Sequence, residues 1–422
     1  MHYNTHTLSN DVRVIHIPDN MPISYIGVAI DAGTRDEMEH EGGMAHFVEH
    51  MLFKGTKNRR SHHIINWLES VGGQLDAYTT KEETYIFATV PTEYIDRALN
   101  LLSDLVFNSI FPQSEMDKER DVVLDEIQSY NDSPSELIYD EFEELLYPND
   151  AIGRNILGTE ESLNKIDSET MQAFVNRCYS LDKIVVFALG AVPFDKFLHR
   201  VERYFGGGLY FPDSFSVVSN NSSSSPQQPS PQRSMPSGYT PQCITRKKDT
   251  YQTHCIIGNR TPKMNTEERL KLLLLNNILG GPNMSSRLNM AIRERNGLCY
   301  SIESNLTTYT DTGVWAIYFG CDPRNLAKAQ RICMQQLEIL RSTPLTGSQL
   351  QKAKLQLRGQ VLISNQNKEN VILSTSKVFL HHGKIHSDDY LLEKIDAFTA
   401  ADLQAMANQI FDPSRITTLI FK

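Results

Sequence analysis

No apolar run in this sequence approaches the ~18 residues that a membrane-crossing helix needs. The longest candidates, such as Ile184-Val-Val-Phe-Ala-Leu-Gly-Ala-Val, have the length of a strand. The N-terminus, MHYNTHTLSNDVRVIHIPDN, lacks the charged start and apolar core of a secretory signal. It also lacks the Arg-rich amphipathic pattern of a mitochondrial presequence. Cysteine is scarce, with six residues at 178, 243, 255, 299, 321 and 333 and no Cys-x-x-Cys pair. That argues against a thiolate metal site and fits reduced thiols in a reducing compartment. A basic excess is missing too. The net charge is -10, which speaks against a general nucleic-acid binder. The clearest basic run, Arg246-Lys247-Lys248, stops at Asp249 and reads as solvated surface. The expectation from these absences is a cytoplasmic protein of bacterial type, with neither a membrane nor a nucleic acid as partner.

What is present is ordinary for a globular protein, 40% hydrophobic and 22% charged residues. A chain of 422 residues is too long for one typical domain and suggests two or three. Residues 211–242 read FPDSFSVVSNNSSSSPQQPSPQRSMPSGYTPQ, where Ser, Pro, Gln and Asn dominate. Such a composition marks a linker or exposed loop, leaving halves at 1–210 and 243–422. The halves repeat one order of elements. Tyr85-Ile-Phe-Ala-Thr-Val-Pro alternates like a strand and leads into a helical pattern from Thr92. Trp315-Ala-Ile-Tyr-Phe-Gly-Cys and the helical pattern from Asn325 do the same. Glycine turns stand upstream of both strands, at Gly72-Gly73 and at Asn296-Gly297. The expected fold is α+β: two duplicated domains, each a mostly antiparallel sheet with helices packed on one face.

Chemistry concentrates in Gly42-Gly43-Met-Ala-His46-Phe-Val-Glu49-His50-Met-Leu-Phe-Lys54-Gly55. Residues 44–54 contain no Pro or Gly and are rich in helix formers, and Gly55 offers a stop. On a helix His46 and His50 share a face, close enough to hold one metal ion. Glu49 reaches the same spot without being needed as a ligand. A catalytic zinc takes three protein ligands and keeps one position open, and the chemistry also needs a separate carboxylate to move the proton. The plain alternative is three polar residues on an ordinary helix. The H-x-x-E-H order is the inverted form of a zinc-protease motif.

The third ligand must come from elsewhere. The best stretch runs from Ser114 to Ile127, with Ser114 and Asp117 spaced like a capping box and a helix expected to about Tyr130. Glu119 and Glu126 are seven apart, two turns, on one face. The alternative is that both are solvated.

Taken together, these residues resemble the pitrilysin/insulinase family of inverted-motif zinc peptidases, in particular its short two-domain members similar to mitochondrial processing peptidase and its bacterial counterparts. The family pattern places a ligand glutamate 76 residues after the second His, which here is Glu126, and a helper glutamate seven before it, which is Glu119. Matching residues extend through Ala32–Glu37 and Met51–Thr56, and the resemblance covers nearly the whole chain except the Ser/Pro-rich segment. In the second half, Arg293 and Tyr300 fit the family's Arg and Tyr, seven apart, which hold the substrate backbone and help stabilise the oxyanion. One departure stands out. The segment Asp76-Ala77-Tyr78-Thr79 has Asp where the family usually has Asn.

The resemblance implies a zinc endopeptidase acting on peptides or unfolded segments inside a clamshell chamber. Zinc would sit on His46, His50 and Glu126, and Glu119 would orient the ligands from behind, through His50. Glu49 would be the general base for the zinc-activated water, and Arg293 and Tyr300 the remaining catalytic residues. Asp76, Ala77 and Thr79 would bind substrate on an edge strand. A homodimer is expected, with a heterodimer with a related chain as the alternative. The rival reading is a non-catalytic or partner-dependent subunit of a heterodimeric processing peptidase.

Overall fold

The structure, a computed structural model, describes residues 2–207, 233, 236 and 238–422. Most of the expected linker at 211–242 therefore lies outside the described residues. The chain forms two compact units that exchange segments. One comprises residues 1–127, 154–233 and 364–385, and the other 128–153, 234–363 and 386–422.

Among the described residues the first unit holds six strands: β1 (Asn4–Thr7), β2 (Arg13–Pro18), β3 (Ile23–Ile30), β4 (Gln74–Thr79), β5 (Thr84–Pro91) and β6 (Ile184–Gly190). They order as β1-β2-β6-β3-β5-β4. Only β2 and β6 pair in parallel. The second unit has β7 (Cys243–Arg246), β8 (Thr253–Pro262), β9 (Cys299–Thr308), β10 (Thr312–Cys321) and β11 (Thr417–Phe421), ordered β7-β11-β8-β10-β9. Again one pair, β7 with β11, is parallel. The two orders superpose strand for strand once β1 is set aside. The duplication read from the sequence is therefore also a duplication of topology, with β4 and β9 as equivalent edge strands.

One face of the first sheet carries α1 (Met44–Leu52), α2 (Ile95–Asn108) and α5 (Phe194–Phe205). Between them in the chain come α3 (Gln113–Asn131) and α4 (Pro134–Leu146). The helix expected from Ser114 starts a residue earlier, at Gln113. Ser114 thus sits inside the first turn and does not cap it, a correction to the capping-box reading. The opposite faces are covered as well. In the first unit α6 (Lys368–His382) lays Val371, Ile372, Phe379 and Leu380 on Ile15, Phe87 and Phe187. In the second, α4 lays Leu137, Ile138 and Phe142 on Ile256, Ala316 and Leu419. Each sheet is thus closed by a helix from the other half of the sequence. Strands covered on both faces read as unbroken apolar runs, which explains why every residue of β6 and of β10 is buried.

Candidate metal centre

Helix α1 begins where Gly43, at φ +85°, turns the chain into it. A Cβ there would stand 2.6 Å from the Leu157 carbonyl oxygen, so the turn requires glycine. Buried Glu37 receives the N–H groups of Gly43 (3.2 Å) and Ala45 (2.9 Å), two groups a helix start leaves without internal partners. Burial pushes its carboxyl up to about 8. The helix ends at Leu52, two residues short of the expected Lys54. One α-helical turn is enough to bring His46 and His50 together, with ring centroids 4.6 Å apart.

The third component arrives from α3. Glu126 Oε2 lies 3.4 Å from His50 Nε2 and 3.7 Å from His46 Nε2. The ligand atoms of His46, His50 and Glu126 all fall within 4.8 Å of one another. Those separations exceed a hydrogen bond of about 3 Å. They match the edge of a tetrahedron around an ion with bonds of about 2.1 Å, which is roughly 3.4 Å. Burial, with a smaller contribution from His50, lowers the His46 pKa to about 3 and keeps the ring neutral, the form that ligates metal. The donor set and its spacing fit a zinc ion.

Around this cluster the other expected residues take distinct places. Glu119, buried, accepts from His50 Nδ1 at 3.0 Å and pairs through its other oxygen with Lys54. Glu49 points beside the cluster. Burial raises its pKa most, the Thr79 side chain and His50 pull it down, and Glu126 and Asp76 push it up again. Thr79 and Asp76 both lie on β4, the free edge of the sheet. The Thr79 hydroxyl is buried beside Glu49, while Asp76 Oδ1 accepts the Ala77 N–H at 2.8 Å. A hollow of about 370 Å³ opens beside this edge, its lining including Glu69, Asp76, Glu369 and Phe87.

Arg293 and Tyr300 belong to the second unit. Arg293 rides on a π-helical turn, Asn289–Glu294, and its guanidinium carbon stands 5.8 Å from the centre of the Tyr300 ring. Tyr300 is the second residue of β9 and is 82% exposed, a large aromatic ring with little around it. Gly297, at φ +57°, makes the turn between them.

A second cluster of ligand-type residues, Glu82, Glu83 and His381, does not fit a metal ion. Glu82 pairs with Arg35 at 2.7 Å, and Glu83 with His381 at 2.6 Å and Lys377 at 3.0 Å. Cations of the chain already neutralise it at hydrogen-bonding distances. Sequence reading had assigned no role to Lys54, although Lys54 follows His50 by four residues, a spacing that signals proximity on a helix.

Comparison with known proteins agrees with the geometry. Residues 13–160 match the family described as Insulinase (Peptidase family M16), and residues 165–357 match the Peptidase M16 inactive domain. The chain is 31% identical to YmxG of Bacillus subtilis, named an uncharacterized zinc protease, over 98% of this chain and 97% of that protein. It is 29% identical to the beta subunit of the mitochondrial-processing peptidase of Bos taurus, over 96% and 82%. In fold it is similar to a protease from Helicobacter pylori, with a TM-score of 0.89 at 21% identity, covering 100% of this chain and 99% of the other. With both halves matched and relatives similar along their length, the chain belongs to the insulinase family of peptidases, M16.

Proposed function

We propose that this chain is a zinc-dependent endopeptidase that hydrolyses peptides or unfolded segments, with zinc held by His46, His50 and Glu126. The observation that carries the reading is the convergence of two imidazole nitrogens and one carboxylate oxygen within 4.8 Å. When bound, zinc supplies Lewis acidity, polarising the scissile carbonyl and bringing the pKa of water to about 7. The chain's own groups do the rest. Glu119 accepts a hydrogen bond from the His50 Nδ1–H and so turns Nε2 toward the cluster. Glu49 takes a proton from the attacking water and returns it to the leaving amine. The β4 edge, with Asp76, Ala77 and Thr79, receives the substrate as an added strand. Arg293 and Tyr300 donate hydrogen bonds to the developing oxyanion and the substrate backbone. In this reading two copies pair around a closed chamber, so that Arg293 and Tyr300 of one serve the zinc site of the other.

Cleavage of a quenched peptide library by wild type and Glu49→Gln tests the proposal, with zinc content measured for both. The expected result is equal zinc and a loss of about 10²–10⁴-fold in kcat for the variant. Cleavage by Glu49→Gln at the wild-type rate would remove Glu49 as the base. A second reading is favoured by the relative named as a beta subunit, namely that this chain needs a related partner chain. It predicts that wild type holds zinc but cuts nothing until that partner is added.

A further inference from the structure

The proposed ligands and base leave one charged group at the site without a role. Lys54 lies in the turn that closes α1, its backbone N–H donating to the Met51 carbonyl at 3.1 Å. Its ammonium pairs with Glu119 Oε2, while Glu119 Oε1 stands 3.0 Å from His50 Nδ1. Each oxygen of the Glu119 carboxylate thus has one partner. Among the described residues, no other Lys or Arg forms an ion pair with Glu49, Asp76, Glu119 or Glu126. A carboxylate held at one oxygen alone can turn about its last bond, because that torsion is broad. Held at both, it presents Oε1 to His50 in one orientation. The Glu119 side chain is 11% exposed and Lys54 27%, so water competes less for either than on an open surface.

We infer that Lys54 is a positioning residue for the metal site. It fixes the Glu119 carboxylate so that His50 keeps its proton on Nδ1 and offers the Nε2 lone pair toward Glu126 and His46. This rests on the metal reading above, but its test does not need the metal. Zinc affinity is a poor gauge, because two effects oppose each other. Losing a nearby cation strengthens attraction for a dication, whereas losing the oriented carboxylate weakens ligation. The tautomer of His50 in zinc-free protein reads instead the balance between the Glu119 carboxylate at Nδ1 and the Glu126 carboxylate at Nε2.

The experiment records the ¹⁵N shifts of the histidine rings in zinc-free protein, at a pH where His50 is neutral. Wild type, Lys54→Met, Lys54→Arg and Glu119→Gln are compared, and His50→Gln assigns the signal. Wild type should show the Nδ1–H form. Lys54→Met should mix in the Nε2–H form, with the other histidines unmoved, and Lys54→Arg should restore the wild-type pattern. In the zinc-loaded enzymes Lys54→Met should lower kcat/KM about tenfold, and it should add nothing further in a Glu119→Gln background. An unchanged His50 tautomer in Lys54→Met, or an equal Lys54→Met effect with and without the Glu119 carboxylate, overturns the inference. The zinc content of wild type separately tests the metal reading, so the two failures are distinguishable.

Discussion

At the scale of single residues, burial decides what a histidine does. His46 is neutral because it is buried, and its Nε2 still faces a carboxylate. His16 is buried without such a use. It is 1% exposed beside the rings of Phe194 and Phe197. Burial lowers its pKa, while hydrogen bonding with the backbone of Gly190 and Val192 pulls the other way. The unfolded chain, with an ordinary histidine pKa of about 6.5, therefore binds this proton more readily than the folded one. Stability is fully present above about pH 6.5 and falls as the pH drops. His16→Leu should flatten that fall, because it removes the group whose protonation opposes folding. Thermal midpoints of both proteins from pH 8 to 5 check this, and parallel curves would rule the effect out.

At the scale of elements, the attachment of α6 is partly ionic. Glu83 is 1% exposed and meets His381 and Lys377 of that helix. Burial by itself would raise its pKa, but the His381 hydrogen bond and the Lys377 charge outweigh burial and bring it to about 2. A carboxyl depressed in this way stabilises the fold above its ordinary pKa of about 4.3 and loses that contribution as the pH falls. Removing one partner of a buried pair costs about 3 kcal/mol, because the other is left uncompensated. Glu83→Gln should therefore lower stability by that order in chemical denaturation. Hydrogen exchange over residues 368–382 should rise before that of β6. If exchange in that helix stays at the wild-type rate, the pair does not hold it.

At the scale of the whole molecule, the exchanged helices make the two halves interdependent. A fragment of residues 1–210 lacks α6, leaving Ile15, Phe87 and Phe187 uncovered on one sheet face. That fragment should bind a hydrophobic dye or precipitate alone, and become soluble when residues 243–422 are co-expressed. A fragment that is soluble and folded alone would contradict the structural role given to α6. The proposed pairing of copies has its own test. Glu49→Gln and Arg293→Ala chains should each be inactive. Mixed under subunit exchange, they should recover about a quarter of wild-type activity, since half of the dimers would carry one intact site. A mixture that stays inactive rules out the shared arrangement.

The sequence by itself determined what helix and strand periodicity can encode. His46, Glu49 and His50 lie within one turn and a half, so their proximity needed only a helix. Glu119 and Glu126 were legible as one helix face for the same reason, and the repeated order of strands and glycine turns carried the duplication. The roles of those two glutamates were not legible, because both read equally well as solvated charges. Tertiary packing separated them: along α3, Glu119 is buried against His50 and Lys54, while Glu126, further along, meets the two Nε2 atoms. The closing of each sheet by the other half's helix, and the burial of His16, were likewise decided only in three dimensions. These are contacts between distant residues. Strand order and the docking of helices bring them together, and no local pattern of apolar and polar residues records which distant face will arrive.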